Sequence, residues 1–347
     1  MYIKKLILII ALMGVAGGGI FVYYIYNSIF SANTAFNNKE AYVYVKTGDN
    51  FIDVTNQIEP LIKNINSFEE VAKRKGYINN VKAGRYIIKK GMNNNEIINT
   101  LRSKNAPLNV TFNNQELLED FAGRIAGQIE ADSTSLMNAY LDPAFLKNNG
   151  LTKYDVLAIN LPNSYQFFWN TSATSFRDRM LAEYKKFWSP ERKAKAQALG
   201  LTPMQVITLA SIVNKETVKV EERPRVAGVY LNRLKANMPL QADPTVIFAI
   251  KKHTGDFNQV IKRVLYKDLN VDSPYNTYLN TGLPPGPIYM PDLSSIKAVL
   301  NAEKNDYYYF VADVTRFGYH KFAKTLAQHN INKQAYVQWL SKQNIKR

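Results

Sequence analysis

An uncharged, mostly apolar run near the N-terminus constrains this chain more than any other part of its sequence. The run extends from Leu6 to Tyr26 and contains 21 residues, enough for a helix to cross a hydrocarbon core of about 30 Å. A cleaved signal peptide is the alternative, but its apolar segment usually spans only about 7–15 residues and precedes a small-residue cleavage site. No such site follows here. The sequence therefore predicts a membrane anchor over residues 6–26.

The positive charges that flank this run predict its orientation. Lys4 and Lys5 precede it, and the next basic residue is Lys39. Because basic residues are enriched on the cytoplasmic side of a span, we expect residues 1–5 to form a cytoplasmic tail. Everything after residue 26 then lies outside the cytoplasm.

The chain as a whole is strongly basic. It carries 44 Lys and Arg against 28 Asp and Glu, a formal charge of +16, which favours an anionic partner. Nucleic acid is one such partner, but the expected topology places the charge outside the cytoplasm, and no nucleic-acid-binding motif occurs. We therefore expect no nucleic acid as partner. The chain contains no cysteine, which excludes disulfides and thiolate sites.

Three segments are predicted after the anchor. Residues 27–40 are polar and aperiodic, which is typical of a spacer. Residues 41–104 contain a strand at residues 41–45, two helices and a returning strand at residues 84–89, which together form a small module. Residues 105–347 intersperse helices and strands without regular βαβ repeats, which predicts a mixed α+β domain.

One helix of this domain ends on a carboxylate. Thr202, Pro203 and Gln205 form a helix start of the capping-box kind, which fixes the register. Apolar residues then recur on one face at Val206, Leu209, Ala210 and Val213. The next position of that face is Glu216, where burial and the negative end of the helix dipole both raise the pKa of a carboxyl group. Such a carboxyl is suited to general acid catalysis.

A second interpretation of Glu216 stays open at the level of spacing. The side chain would then lie in water just past a frayed helix end, or would pair with Lys215, Lys219 or Arg223. Periodicity alone does not separate the two interpretations, because helix boundaries inferred from sequence shift by about two to four residues.

Other chemistries find little support. The three histidines, His253, His320 and His329, show no metal-ligand spacing. Ser294 and Lys297 form an S-x-x-K pair without the companion motifs of penicillin-binding enzymes. No glycine pattern of a nucleotide-binding loop follows the anchor. We therefore expect no metal and no cofactor.

Several motifs after the helix start resemble one known family. LASIVNKET, VAGVYLNRL and LQADPTV lie between residues 209 and 246, and YNTY and GLPPGPI follow by residue 288. YFVAD, HKF and AQHN occur between residues 309 and 330. In this order they are similar to the endolytic murein transglycosylases, also called the MltG or YceG-like family, which are membrane-anchored enzymes that cut bacterial peptidoglycan. A looser likeness extends from about residue 41 onward.

The resemblance implies a lytic transglycosylase, a lyase that cleaves the MurNAc–GlcNAc bond and leaves 1,6-anhydro-MurNAc ends, with Glu216 as its general acid/base. It also implies that residues 41–104 are LysM-like and that residues 105–347 form the catalytic domain. The chain would be a single-pass protein of the bacterial inner membrane that acts in cell-wall biogenesis near peptidoglycan synthases. Usual members carry a second Glu where this chain has Asn214, two positions before Glu216. Glu216 is therefore the only candidate acid in the KET triplet.

Four further residues occupy motif positions of the family. The resemblance implies that Gln241, Tyr275, Asn276 and Tyr278 surround the sugar, with amide and phenol groups that orient hydroxyls and rings that stack on apolar faces. The two tyrosines are equally compatible with a core position, and Asn276 is equally compatible with a turn.

Two other functions stay open. Asp243 would be the second carboxylate of a hydrolysing muramidase, although Asp followed by Pro and Thr is also typical of a helix N-cap. A non-catalytic, membrane-tethered scaffold that binds the cell wall is the other, because Asn214 departs from the family pattern. A lytic transglycosylase needs no second carboxylate, because the 6-hydroxyl of the substrate attacks the anomeric carbon at high effective molarity.

Overall fold

The computed structural model describes residues 2–342, which divide into two units. The first unit comprises residues 2–110, 126–131 and 165–172, and the second comprises the remaining described residues. The α-helices are α1 (Tyr2–Phe30), α2 (Phe51–Ile58), α3 (Ile65–Arg74), α4 (Asn94–Ser103), α5 (Leu118–Ala126), α6 (Ser133–Tyr140), α7 (Pro143–Asn148), α8 (Ala173–Phe187), α9 (Pro190–Ala198), α10 (Pro203–Glu216), α11 (Arg223–Lys235), α12 (Asp243–Thr254), α13 (Leu293–Leu300) and α14 (Leu326–Lys342).

Within residues 2–342 the strands are short and form three two-stranded sheets, β1 with β2, β3 with β4, and β5 with β6. Their bounds are β1 (Glu40–Val45), β2 (Gly84–Lys89), β3 (Pro107–Phe112), β4 (Asn163–Phe168), β5 (Tyr309–Ala312) and β6 (His320–Ala323). Helices dominate, and the small sheets are not connected by regular βαβ repeats. This mixture confirms the predicted α+β class.

Helix α1 is long and apolar enough to cross a membrane. It begins before the predicted anchor and runs to Phe30, so the first residues of the predicted spacer are helical. The rest of that spacer is not a free linker. Asn33 is buried, and its side-chain amide donates to Asn94 Oδ1 at 2.7 Å, while Thr34 forms a β-bridge with Ile62. The prediction of a spacer over residues 27–40 was therefore wrong, because polar side chains here satisfy buried backbone and amide groups of the first unit.

The first unit contains the predicted small module with its elements in the expected order. β1 pairs antiparallel with β2, so that Val43 lies opposite Tyr86. Alternate residues of both strands face a core that α2, α3 and α4 complete. Asn50 caps α2 through a capping box with Asp53, which fixes where the first helix begins. The strand–helix–helix–strand order agrees with the prediction, and its likeness to a LysM module stays a prediction.

The second unit is built around α10. Thr202 and Gln205 form the predicted capping box, with Pro203 at the first helical position. Every residue from Val206 to Val213 is buried, so the helix is enclosed on all sides rather than along one stripe. α11, α12 and α13 pack against it. Because α10 is held along its whole length, the carboxylate at its last residue has a defined position.

Candidate active site

Helix α10 delivers Glu216 to the wall of a cavity. The helix ends at Glu216, and the following Thr217 is extended, which agrees with the predicted register. Glu216 is half-buried, and its Oε1 accepts a hydrogen bond of 2.7 Å from the hydroxyl of Tyr230 on α11. The neighbouring cations are engaged elsewhere. Lys215 binds Glu116 at 2.9 Å, and Arg223 binds Asp292 at 2.9 Å.

The surroundings of Glu216 favour its neutral form. Burial raises the pKa of its carboxyl group from 4.5 to about 7, and the nearby charge of Asp243 acts in the same direction. The hydrogen bond from Tyr230 and the neighbouring His320 and Arg233 oppose this shift without cancelling it. A carboxyl that holds a proton at neutral pH is a competent general acid.

The cavity has a volume of about 620 Å³ and lies entirely within the second unit. Its wall is formed by the end of α10, by α11, by the start of α12, by the β5–β6 hairpin and by α14. Glu216, Gln241, Asp243 and Tyr278 all line it. A space of this size accommodates a small ligand or a segment of a polymer.

Gln241 is exposed in the cavity in a strained backbone conformation. Its φ is +52°, in the left-handed region that non-glycine residues rarely adopt. Its N–H donates to the carbonyl of Thr277 at 3.0 Å, and its side-chain oxygen accepts from the guanidinium of Arg233 at 3.2 Å. Such strain clusters at functional sites, where the surrounding structure holds it.

Tyr278 and Asp243 form a second polar pair in the cavity. The Tyr278 hydroxyl donates to Asp243 Oδ1 at 2.7 Å, and burial together with this carboxylate raises the tyrosine pKa. Asp243 is the first residue of α12, and Ala242 occupies the N-cap position. The N-cap interpretation of Asp243 was therefore wrong, and its exposed carboxylate is directed to the tyrosine.

The structure does not place Tyr275 and Asn276 on the cavity wall, contrary to the expectation from the motif. Tyr275 is 2% exposed and packs its ring against Phe248 at 4.7 Å. Asn276 is fully buried, and its amide donates to the carbonyls of Leu269 and Val271. Asn276 stabilises the segment that presents Tyr278, because the N–H of Tyr278 donates to Asn276 Oδ1 at 3.0 Å.

Two residues of α11 complete the site, and nothing in the sequence indicated that the first of them, Tyr230, would contact Glu216. Tyr230 is fully buried, and its hydroxyl bonds to Glu216. No rule of sequence spacing pairs residues that lie on two different helices. Arg233 is also buried, and its guanidinium donates to the carbonyls of Tyr308, Pro239 and Leu240. Arg233 thereby joins the residue that precedes β5 to the loop before Gln241.

Asn214, the departure from the family pattern, is on α10 and contacts the start of α13. Its Oδ1 accepts from the N–H of Asp292 at 2.9 Å and from the hydroxyl of Ser295 at 3.1 Å. Since these groups belong to the first turn of α13 and its N-cap residue, Asn214 connects two helices. Its side chain therefore forms hydrogen bonds that join α10 to α13.

Comparison with known proteins agrees with these observations. The model of the YceG-like family matches residues 43–335. A Bacillus subtilis strain 168 protein named endolytic murein transglycosylase is 34% identical over 80% of this chain and 79% of its own length. A protein of the same name from Streptococcus pneumoniae D39 is 31% identical over 93% of this chain, which spans 63% of that relative. The crystal structure of a YceG-like protein from Listeria monocytogenes matches with a TM-score of 0.56 and 30% identity, over 85% of this chain and 99% of that one. This chain belongs to the YceG-like family.

Proposed function

We propose that this chain is an endolytic peptidoglycan transglycosylase that cleaves MurNAc–GlcNAc bonds and leaves 1,6-anhydro-MurNAc ends. The observation that carries the proposal is the half-buried Glu216, whose pKa of about 7 keeps a proton available beside the cavity. The relatives named endolytic murein transglycosylase support the choice of substrate.

In the proposed reaction Glu216 acts first as an acid and then as a base. Its carboxyl proton passes to the glycosidic oxygen, and the bond between the anomeric carbon and that oxygen breaks. The 6-hydroxyl oxygen of the same muramic residue then bonds to the anomeric carbon, and its proton returns to the Glu216 carboxylate. The hydroxyl of Tyr230 stabilises the carboxylate between the two transfers. One residue suffices, because the attack is intramolecular.

Gln241 and Tyr278 are proposed to contact the sugar, since both line the cavity next to Glu216. The Gln241 amide is exposed, and the ring of Tyr278 offers an apolar face. For Tyr275 and Asn276 we propose an indirect role, because both side chains are buried away from the cavity. Asn276 accepts the N–H of Tyr278 and so positions that residue.

The proposed location follows from α1. We propose that it anchors the chain in the bacterial inner membrane, with the N-terminus in the cytoplasm and the catalytic domain outside, because Lys4 and Lys5 lie at its start and the next basic residue is Lys39. Such a location brings the cavity close to newly made glycan strands and to the synthases that make them.

A hydrolysing muramidase is the second candidate, because Asp243 lines the same cavity as Glu216. In that reaction Asp243 activates a water molecule, and the product is a reducing end. The carboxylate of Asp243 is exposed and already accepts a hydrogen bond from Tyr278.

Three versions of the full-length protein in detergent separate these functions. Purified peptidoglycan is incubated with the parent, with Glu216→Gln and with Asp243→Asn, and the soluble fragments are quantified. The proposal predicts cleavage by the parent, loss of at least about a hundredfold in Glu216→Gln, and a much smaller loss in Asp243→Asn. Equal losses in both variants would favour the muramidase, and bound but uncut glycan with all three would favour the scaffold.

A further inference from the structure

Outside the Glu216–Tyr230 pair, a buried carboxylate holds a histidine at the edge of the cavity. Glu222, just before α11, is 5% exposed. Its Oε2 lies 2.8 Å from His320 Nδ1, and its Oε1 accepts the backbone N–H of the same residue at 2.8 Å. Burial works against ionisation of Glu222, but these contacts with His320 outweigh it and keep its pKa below the ordinary value.

These two contacts determine how the imidazole is presented. An ionised carboxylate only accepts hydrogen bonds, so Nδ1 of His320 carries a proton and donates it to Glu222. The other ring nitrogen, Nε2, is then the one available to a ligand. His320 lines the same cavity as Glu216, and the edge-to-face contact of its ring with Phe310, at 5.0 Å between centroids, limits its rotation.

Support of the hairpin alone does not require this arrangement. β5 and β6 are already joined by their antiparallel ladder, in which Ala312 lies opposite His320. A buried carboxylate is costly unless it is paired, and here both oxygens of Glu222 contact His320, with a further hydrogen bond from Thr217. Fixing a ring nitrogen in this way is how proteins set the tautomer of a histidine that binds a ligand.

We propose that the Glu222–His320 pair is a substrate-binding element, in which the neutral imidazole accepts a hydrogen bond through Nε2 from a hydroxyl group of the glycan strand. His320 is the residue that touches the sugar, and Glu222 is a positioning residue. This inference rests on the proposed function for its choice of a glycan as ligand, but it requires binding only and not cleavage.

The proposed hydrogen bond uses the lone pair on Nε2, which only the neutral imidazole carries.

The test measures binding of full-length protein in detergent to glycan strands released from purified peptidoglycan. All variants carry Glu216→Gln, so that the ligand is not consumed. His320→Asn keeps an amide near the position of Nδ1, which retains the bond to Glu222 and removes Nε2. His320→Gln keeps a polar group near the position of Nε2 and loses the bond to Glu222. His253→Gln, on α12 outside the cavity wall, is the matched control.

We expect His320→Asn to weaken binding about three- to tenfold at pH 8, which is the worth of one hydrogen bond. His320→Gln should bind more tightly than His320→Asn but unfold at a lower temperature, and His253→Gln should match the background. Unchanged affinity in His320→Asn, or equal affinity in His320→Asn and His320→Gln, would overturn the inference. Cleavage by protein with Glu216 intact is measured separately, so a failure of the proposed function is recognised on its own.

Discussion

The hydrogen bond from Tyr230 to Glu216 predicts a shift in the pH dependence of the reaction. Tyr230→Phe removes the hydroxyl that lies 2.7 Å from Glu216 Oε1 and keeps the buried ring. This bond favours the ionised carboxylate and so lowers the pKa of Glu216. A hydrogen bond to a charged group is worth about 1.5–3 kcal/mol, and the neutral acid retains about 1 kcal/mol of it. The variant loses this difference of about 1 kcal/mol, so the pKa of Glu216 rises by about one unit in Tyr230→Phe.

The assay is the pH profile of kcat for glycan cleavage. Because Glu216 must be protonated to act as an acid, activity falls as the pH rises through its pKa of about 7. In Tyr230→Phe this decrease should move to about one unit higher pH, while the maximum rate falls because the carboxylate is less stabilised. Tyr278→Phe is the matched control, since its hydroxyl binds Asp243 rather than Glu216. A decrease that stays in place, or that moves to lower pH, would refute the assigned role of Tyr230.

Three further predictions concern stability and the shape of the site. Burial raises the Glu216 pKa from 4.5 to about 7, so ionisation of Glu216 costs no folding free energy below about pH 4.5 and up to about 3 kcal/mol above about pH 7. Glu216→Gln should therefore raise the thermal unfolding midpoint at pH 8 and not at pH 4, and an equal change at both pH values would contradict this. Gln241→Gly relieves the positive φ and should stabilise the fold by about 1 kcal/mol while it lowers activity, whereas a gain in both would show that Gln241 does not contact the substrate. Asn214→Ala removes the hydrogen-bond acceptor for the first turn of α13 and should lower the free energy of unfolding by about 1–2 kcal/mol. The pH profile of kcat should stay unchanged, and a shifted profile would assign Asn214 a role in proton transfer.

Local signals in the sequence were sufficient to predict the helix that carries Glu216. Thr202 and Gln205 determine where α10 begins, and the apolar spacing carries the register to Glu216 without any long-range information. The long apolar helix α1 and the order of elements in the first unit follow from equally local patterns. The family was recognised from motifs, and the family model confirms it.

The rest of the site depends on contacts between segments distant in the chain. Tyr230 reaches Glu216 only because α11 packs on α10, and Glu222 meets His320 across 98 positions of sequence. A motif also does not show which of its side chains points outward. Within YNTY, Tyr275 faces the core and Tyr278 faces the cavity, since the chain turns here and no helical or strand period applies.

The chemistry of the newly formed glycan ends tests the central claim most directly. Purified peptidoglycan is cleaved by the full-length protein in water labelled with heavy oxygen, and the fragment ends are weighed by mass spectrometry. Our account predicts 1,6-anhydro-MurNAc ends that carry no label, because the attacking oxygen comes from the substrate, and no fragments from Glu216→Gln. Reducing ends that carry the label would contradict the account, because water and not the 6-hydroxyl would then be the nucleophile.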